Sequence, residues 1–479
     1  MNTRHPPSRL AACALLALAL AAGCAPAAAV SRTKAAATPA TASASSSSSR
    51  CISDENADPK SAPAYRTVSP SANGATPRVE SGAPRTNLLT MVRTAIQRSN
   101  AVGAAKLLAE AAAIDIDGAH AAYYPQVSIS GQAGGVVGGA VGSTNEKGAN
   151  YQGGANVSAP LYDGGRTRDM IDYRTHLAEA ARFGEISTQE QVALQTVSLA
   201  LDRSRFTVQA QVYDQYARKM GCMVEALEQI VSVDRGRTSE LVQVKKTEEQ
   251  AQFTRDQLLS QKRIIEVRLR RFVGDDLPPL DGLSSVMLDT PALADLMALA
   301  SRSADIQSLD SQAAAQDAYV QALLDGQKPQ LGVLLSASKS LGASNTRSVS
   351  GGLTLNWQLF NAANTYTNEA ARKRAAASRL TRADALEARR YRMAEVHEQA
   401  EHAMERARSV IEILHNSEMV RNFTLQQWQQ LGRRSLFDVM AAEGDHYNMR
   451  VQYVDALYDT QQANALLWSL GLGLAGRLE

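Results

Sequence analysis

The chain has 479 residues, with 50 Lys and Arg against 48 Asp and Glu, and a formal net charge of +2 at pH 7. That balance points to neither a nucleic-acid partner nor a strongly acidic one. Four cysteines, widely separated at Cys13, Cys24, Cys51 and Cys222, offer no disulfide framework and no Cys-rich metal pattern.

The chain begins with Arg4 and Arg9 before the apolar run Leu10–Leu20, followed by Ala21-Ala22-Gly23-Cys24. A basic start, a short apolar core and small residues predict a secretory signal peptide over residues 1–23. The run is shorter than the roughly 20 apolar residues a spanning helix needs. Ala-Ala-Gly before Cys24 resembles a bacterial lipobox, although Ala21 stands where such motifs usually carry Leu. The resemblance implies lipidation of Cys24; ordinary cleavage is the alternative. Residues 24–86 are rich in Ala, Ser, Thr and Pro and include Ser45–Ser49. Such a composition predicts a disordered tether, because it buries too little apolar surface to offset its ordering entropy.

Asn87–Ala122 reads as one Ala-rich helix, stopped by Pro125. Two alternating segments follow. In the first, Val127, Ile129 and Ala133 share one parity, while Gln126, Ser128, Ser130 and Gln132 share the other. In the second, Tyr151, Ala155, Val157 and Ala159 oppose Gln152, Asn156 and Ser158. Period two is the mark of a strand with one apolar and one polar face. Together these predict a β-hairpin over residues 124–161. Asp163 then stands where a helix cap belongs, and helix is predicted up to Val233. Its seam is Leu194, Val197, Leu201, Val208, Val212, Met220, Met223, Leu227 and Ile230. A turn follows at residues 234–239, with Gly236 suited to a left-handed position and Thr238 or Ser239 suited to cap the return helix. The return helix runs to about Val273.

After a Pro- and Gly-broken linker at 274–291, the plan repeats over residues 292–472. A helix over 292–325 leads to Pro329 and the alternating hairpin 329–360. There Val349, Leu353, Leu355 and Trp357 oppose Ser348, Ser350, Asn356 and Gln358; the other strand is weaker, since Leu334 intrudes on its polar parity. Asn361 takes the place of Asp163. A helix of about 70 residues follows, with the seam Met393, Val396, Ala400, Ala403, Ala407, Val410 and Leu414. A second turn at 431–435 contains Gly432, and a half-length helix runs to Leu470 before a short tail. Each half is short helix, hairpin, long helix, turn, short helix, so the two short helices match the long one and can stack end to end beside it. Repeats of this kind define the architecture.

Alternating segments of about ten residues suit either a membrane β-barrel or soluble hairpins on a core. If the strands enter lipid, four per chain cannot close, and an open sheet leaves unpaired edges that a bilayer does not tolerate. Oligomerisation is then required.

The twofold repeat, the Pro-Gln start of each hairpin, Leu161-Tyr162-Asp163-Gly164-Gly165-Arg166 and Gly432-Arg433-Arg434-Ser435-Leu436-Phe437-Asp438-Val439 together resemble the TolC-like outer-membrane factor family over residues 86–472. The resemblance implies a mainly α protein with a membrane β-barrel part: a homotrimer with a twelve-stranded barrel in outer-membrane lipid and a long α-helical barrel in the periplasm. It further implies a belt around linker 274–291 and a closed periplasmic tip at the Gly236 and Gly432 turns. Asp438 matches a tip aspartate lining the entrance and Arg434 an arginine that ties the tip helices together; Ala441 stands where a second acid is often found. Arg237 and Glu240 are the charges of the first turn. Helix capping by Asp438 and plain surface charge for the arginines are the alternatives.

No P-loop, Gly-x-Ser-x-Gly or His-Glu-x-x-His motif is present, and the seven His show no ligand spacing, so neither an enzyme nor a cofactor is expected. The expected function is a passive exit duct, coupled to a periplasmic membrane-fusion adaptor and an inner-membrane ABC or RND transporter. The turn Arg235–Gln243 looks like that of family members serving type I protein secretion, the cargo class expected here; the lipobox looks more like drug-efflux ducts, which are the alternative. A structural coiled-coil surface stalk is the reading from another class.

Overall fold

The structure, a computed structural model, describes residues 83–138, 146–279, 282–342, 345–431, 433–471, 473–474 and 476. Signal peptide 1–23, Cys24 and Gly432 lie outside the described residues, as does the tether up to residue 82.

Two short helices, α1 (Ala83–Arg98) and α2 (Asn100–His120), lead into strands β1 (Gln126–Gly138) and β2 (Glu146–Tyr162). Helix α3 (Arg166–Val233) and the returning α4 (Thr238–Val273) complete the first half. The second half is α5 (Leu293–Leu299), α6 (Ala304–Asp325), β3 (Gln330–Gly342), β4 (Thr346–Asn356), α7 (Ala362–Leu431) and α8 (Leu436–Leu470). The long helices have 68 and 70 residues, which at 1.5 Å per residue is about 100 Å each.

Several local expectations are corrected. The predicted helix from Asn87 is two helices, because Ser99 adopts an extended backbone and its side chain accepts from the Val102 N–H, capping α2. Helix α1 starts at Ala83, so the last four residues assigned to the tether are helical. The helix expected over 292–325 likewise breaks at Ser303, which is extended and whose hydroxyl donates to the Ala300 carbonyl. Gly236 is not left-handed. The Asp234 carboxylate accepts from the Gly236 N–H at 2.9 Å and holds residues 235–237 in a tight right-handed turn. Thr238 does not cap α4 either; its hydroxyl donates to the Arg235 carbonyl. Cys222 is disulfide-bonded, against the expectation drawn from the cysteine spacing.

Long helices of such sequence are stable only when an apolar stripe is covered. Helix α3 packs against α1, α2, α4, α6 and α8, and α7 packs against α5, α6 and α8. On the α7 seam, Met393, Val396, Ala400, Ala403, Ala407, Val410 and Leu414 are all buried. The main core gathers Leu88, Met91 and Val92 of α1, Val197 and Leu201 of α3, Ile265 and Leu269 of α4, and Val454 and Tyr458 of α8, together with Leu283 and Met287 of the linker. The linker therefore sits where the two short helices of the first half meet beside α3. In the second half, Leu296 of α5 and Leu467 of α8 meet on Met393 and Val396.

The halves are joined by polar contacts between α3 and α8. Arg205 donates to Asp455 at 2.7 Å and to Asp459 at 3.1 Å, Gln209 donates to Asp455 at 2.6 Å, and Gln462 donates to Asp202 at 2.6 Å. The Ser204 and Tyr458 hydroxyls lie 2.7 Å apart in the core. Burial pushes the Asp455 and Asp202 carboxyls above the usual carboxylate value, opposed by Arg205 at the first and by Gln462 at the second.

Both hairpins form, and they join. The four strands make one antiparallel sheet in the order β1-β2-β3-β4. No described helix is long and apolar enough to cross a membrane.

Candidate functional site

The sheet has two chemically distinct faces because its registers keep equal parities together. Val127 pairs with Val157, Val157 with Leu335, Ala155 with Ala337, and Ala337 with Val349. This face is apolar and open to the surroundings: Ile129 is 86% exposed and Val349 73%. On the other face Ser128 pairs with Asn156 and Asn156 with Ser336. Cross-strand hydroxyls form a ladder there, with Ser336 and Ser350 2.6 Å apart, Ser338 and Ser348 2.7 Å apart, and Ser340 donating to Asn150 at 2.7 Å. A serine surface satisfies its own hydrogen bonds and still accepts water. An apolar face fully exposed on a folded chain demands a partner or a lipid environment. Leu334 does sit on the polar face, opposite Ser158 and Gly352, as its parity requires.

The edges are as informative as the faces. Among the described residues, neither β1 on its outer side nor β4 on its outer side has a strand neighbour. Strand β1 has 13 residues and β4 has 11, so each leaves a long row of unpaired N–H and C=O groups. Around the helical end of the sheet stand Tyr124, Tyr162, Trp357, Leu359 and Phe360, all more than half exposed.

A clasp anchors the sheet on the helices. Asp163 accepts from the Gly165 N–H at 3.1 Å and the Thr167 N–H at 2.7 Å, starting α3. Burial raises the Asp163 carboxyl, but the Thr167 and Gly165 bonds outweigh it and hold it below its ordinary value. Gly164 and Gly165 have φ of 74° and 100°, and a Cβ on either would lie under 3 Å from Lys328 or Asp325. Lys328 donates to the Gly164 carbonyl at 3.1 Å and pairs with Asp325 at 2.8 Å, tying the exit of the first hairpin to the start of the second. Asn361 repeats the cap by accepting from the Ala363 N–H at 3.0 Å.

At the opposite end of the long helices lie the two turns. Arg237 pairs with Glu240 at 3.2 Å within the first turn. In the second, Ser435 and Asp438 form a reciprocal capping box: the Asp438 N–H donates to the Ser435 hydroxyl at 3.2 Å and the Ser435 N–H to the Asp438 carboxylate at 3.1 Å. Arg434 lies 3.9 Å from Asp438 and donates to Gln427 at 3.2 Å. The structure thus brings Arg434 and Asp438 together, and Arg237 and Glu240 together. Each pair stays within its own turn. Leu436 and Val439 bury beside Met220, Met223, Leu227 and Val244, which packs the second turn onto the α3–α4 pair.

The sequence pattern did not reveal a polar group buried on α8. Glu443 is fully buried, His446 is 2% exposed and Arg450 3% exposed. Arg450 donates to Gln215 at 2.5 Å, and Lys219 lies 3.8 Å from Glu443. Their i, i+3, i+7 spacing was the available signal, normally read as a solvated stripe. On α7, His397, Glu398 and Glu401 come within 4.8 Å of one another, with both carboxylates exposed. The His397–Glu401 approach of 3.8 Å is an ordinary i, i+4 helix pair.

Comparisons with known proteins agree with this geometry. Residues 91–275 match the family of outer membrane efflux proteins. Among solved structures, the fold is similar to CusC, described in terms of folding and transmembrane channel formation, with a TM-score of 0.72, 16% identity, and 81% of this chain and 92% of that chain covered. It is similar to the outer membrane protein VceC of Vibrio cholerae, with a TM-score of 0.66, 15% identity and coverage of 81% and 97%. It is also similar to the open state of the MtrE outer membrane channel of Neisseria gonorrhoeae, with a TM-score of 0.69, 15% identity and coverage of 82% and 90%. No curated protein matches the chain in sequence.

Proposed function

We propose that three copies of this chain form an outer-membrane exit duct, the outermost part of a tripartite export machine. The observation that carries the reading is the sheet. It has an apolar face, a serine-lined face and two unpaired edges, and it is mounted on helices about 100 Å long. Pairing β4 of one copy with β1 of the next closes the sheet into a ring without edges, and the trimer that the family resemblance implies gives twelve strands with the serines inside and the aliphatic residues toward lipid. Twelve strands exceed the eight whose interior fills with side chains, so a lumen remains. The helices continue that lumen into the periplasm, where an adaptor and an inner-membrane pump engage the tip. The duct is no enzyme; the pump supplies the energy. Purified protein should run as a trimer by light scattering and conduct ions across a planar bilayer. A folded sample with no pore overturns the duct in favour of a coiled-coil stalk.

Two cargo classes compete. Type I protein secretion through an ABC transporter is supported by the turn Arg235–Gln243. Small-molecule efflux through an RND pump is supported by the description of the matching family. Deleting the gene in its host separates them. Loss of a few large secreted proteins with normal drug sensitivity identifies the first; drug hypersensitivity with an intact secretome identifies the second. Arg237, Glu240, Arg434 and Asp438 form the tip entrance in this reading, with Gly236 and Gly432 in its turns. Lipidated Cys24 anchors the chain to the inner leaflet, and the mass of the mature N-terminus tests that.

A further inference from the structure

We propose that Lys339 and Arg347 form a binding site on the lipid-facing side of the barrel for the phosphorylated headgroup of an outer-leaflet lipid. The inference rests on the outer-membrane reading above. Both residues lie on the apolar parity of the sheet. Lys339 stands directly opposite Arg347 in the β3–β4 register, and both are exposed. Like charges directly opposite each other across a strand pair are destabilising, and cations on a lipid-facing strand carry a further cost that falls toward the interface. An anion between them relieves both.

Their height and surroundings fit that occupant. Eight residues separate Leu331, the first apolar position of β3, from Lys339, about 26 Å along the strand. With barrel strands tilted by roughly 35–45°, that is about 20 Å above Leu331, near the top of an apolar band about 25 Å tall. The next strands present only glycine at this level: Lys339 pairs with Gly153, and Gly153 with Gly131. A Cβ built on either glycine meets nothing within 4 Å. The two cations therefore border a shelf of bare backbone. One layer further out, Tyr151 and Leu341 are paired and about half exposed, suited to the sugar or upper acyl region of a lipid. One layer inward, Ala337 and Val349 offer an apolar wall to the chains.

The test uses the full-length trimer in detergent and native mass spectrometry with three probes: phosphorylated lipid A, the same lipid dephosphorylated, and inorganic phosphate. The wild-type protein should retain phosphorylated lipid A. Two interfacial cations are worth about 30-fold in affinity for an anionic lipid surface, so Lys339→Gln/Arg347→Gln should weaken retention by about that factor, as should dephosphorylation. Equal retention by wild type and variant, or retention indifferent to the phosphates, overturns the proposal. Inorganic phosphate displacing the lipid at equal concentration overturns the lipid assignment. Bilayer conductance of the same samples keeps the two readings apart. Absence of pores refutes the duct, whereas pores without phosphate-dependent retention refute this site alone.

Discussion

Substitution of Asp438 separates gating from capping at the tip. Its carboxylate does two things: it accepts from the Ser435 N–H at 3.1 Å, and it lies 3.9 Å from the Arg434 guanidinium. Removing a helix cap costs about 1 kcal/mol. The ion pair, with side chains 54% and 46% exposed, contributes no more than about 1 kcal/mol after solvent screening. Asp438→Asn keeps an oxygen for the Ser435 N–H but removes the charge. Asp438→Ala removes both, and Ser435→Ala removes the cap while keeping the charge. If the Arg434–Asp438 pair holds the entrance closed, Asp438→Asn and Arg434→Ala should each raise the open fraction of single channels in planar bilayers. About 1 kcal/mol corresponds to roughly a five-fold increase. Ser435→Ala should do less. Asn and Arg434→Ala channels that behave as wild type, with Ser435→Ala and Asp438→Ala alike, would refute the gate and leave a cap.

Three other outcomes are expected. Arg205→Ala strips Asp455 of its cation between α3 and α8 and leaves Asp459 with Arg406 at 3.6 Å; because all three side chains are partly exposed, the loss should be about 1–3 kcal/mol, below that of a fully buried pair, measured by denaturant unfolding. Leu335→Arg places a charge near mid-height on the apolar face of the sheet; on a barrel in lipid it should cost about 2–4 kcal/mol, seen as loss of heat-modifiable migration on gels, whereas on a solvated hairpin it would be nearly silent. Asp163 has a folded-state value below its ordinary 3.8, so its stabilisation is fully present above that value and is lost as pH falls through the lower folded one. The stability advantage of wild type over Asp163→Asn should therefore shrink only in that acid window, and an advantage that grows on acidification would contradict the assignment.

Much of the architecture was already in the sequence, because it is set by short-range rules. Alternation of Val127 and Ile129 with Ser128 and Ser130 fixes which face of β1 is apolar, since side chains on a strand change sides at every residue. The seam from Met393 to Leu414 is buried throughout, as three-four spacing demands. Asn361 bonds the first turn of α7 as a short acceptor side chain before a helix does, and Asp163 bonds the Thr167 N–H of α3 from two residues before the Gly165 N-cap.

Tertiary structure decided what depends on neighbours far along the chain. Composition alone does not show Ser99 or Ser303 ending a helix, because a serine within an Ala-rich run caps only where packing turns the chain. Gly236 reads as a left-handed stop until Asp234 takes its N–H and makes a right-handed turn sufficient. The joining of two hairpins into one sheet rests on β2–β3 pairing, between segments nearly 200 residues apart, together with the Asp325–Lys328 clasp on Gly164. Glu443, His446 and Arg450 look like a solvated stripe on α8, yet all three are buried, and α3 meets Glu443 with Lys219 and Arg450 with Gln215. Periodicity records which side of a helix a residue occupies. Whether that side meets water, lipid or another helix is settled only when distant segments pack.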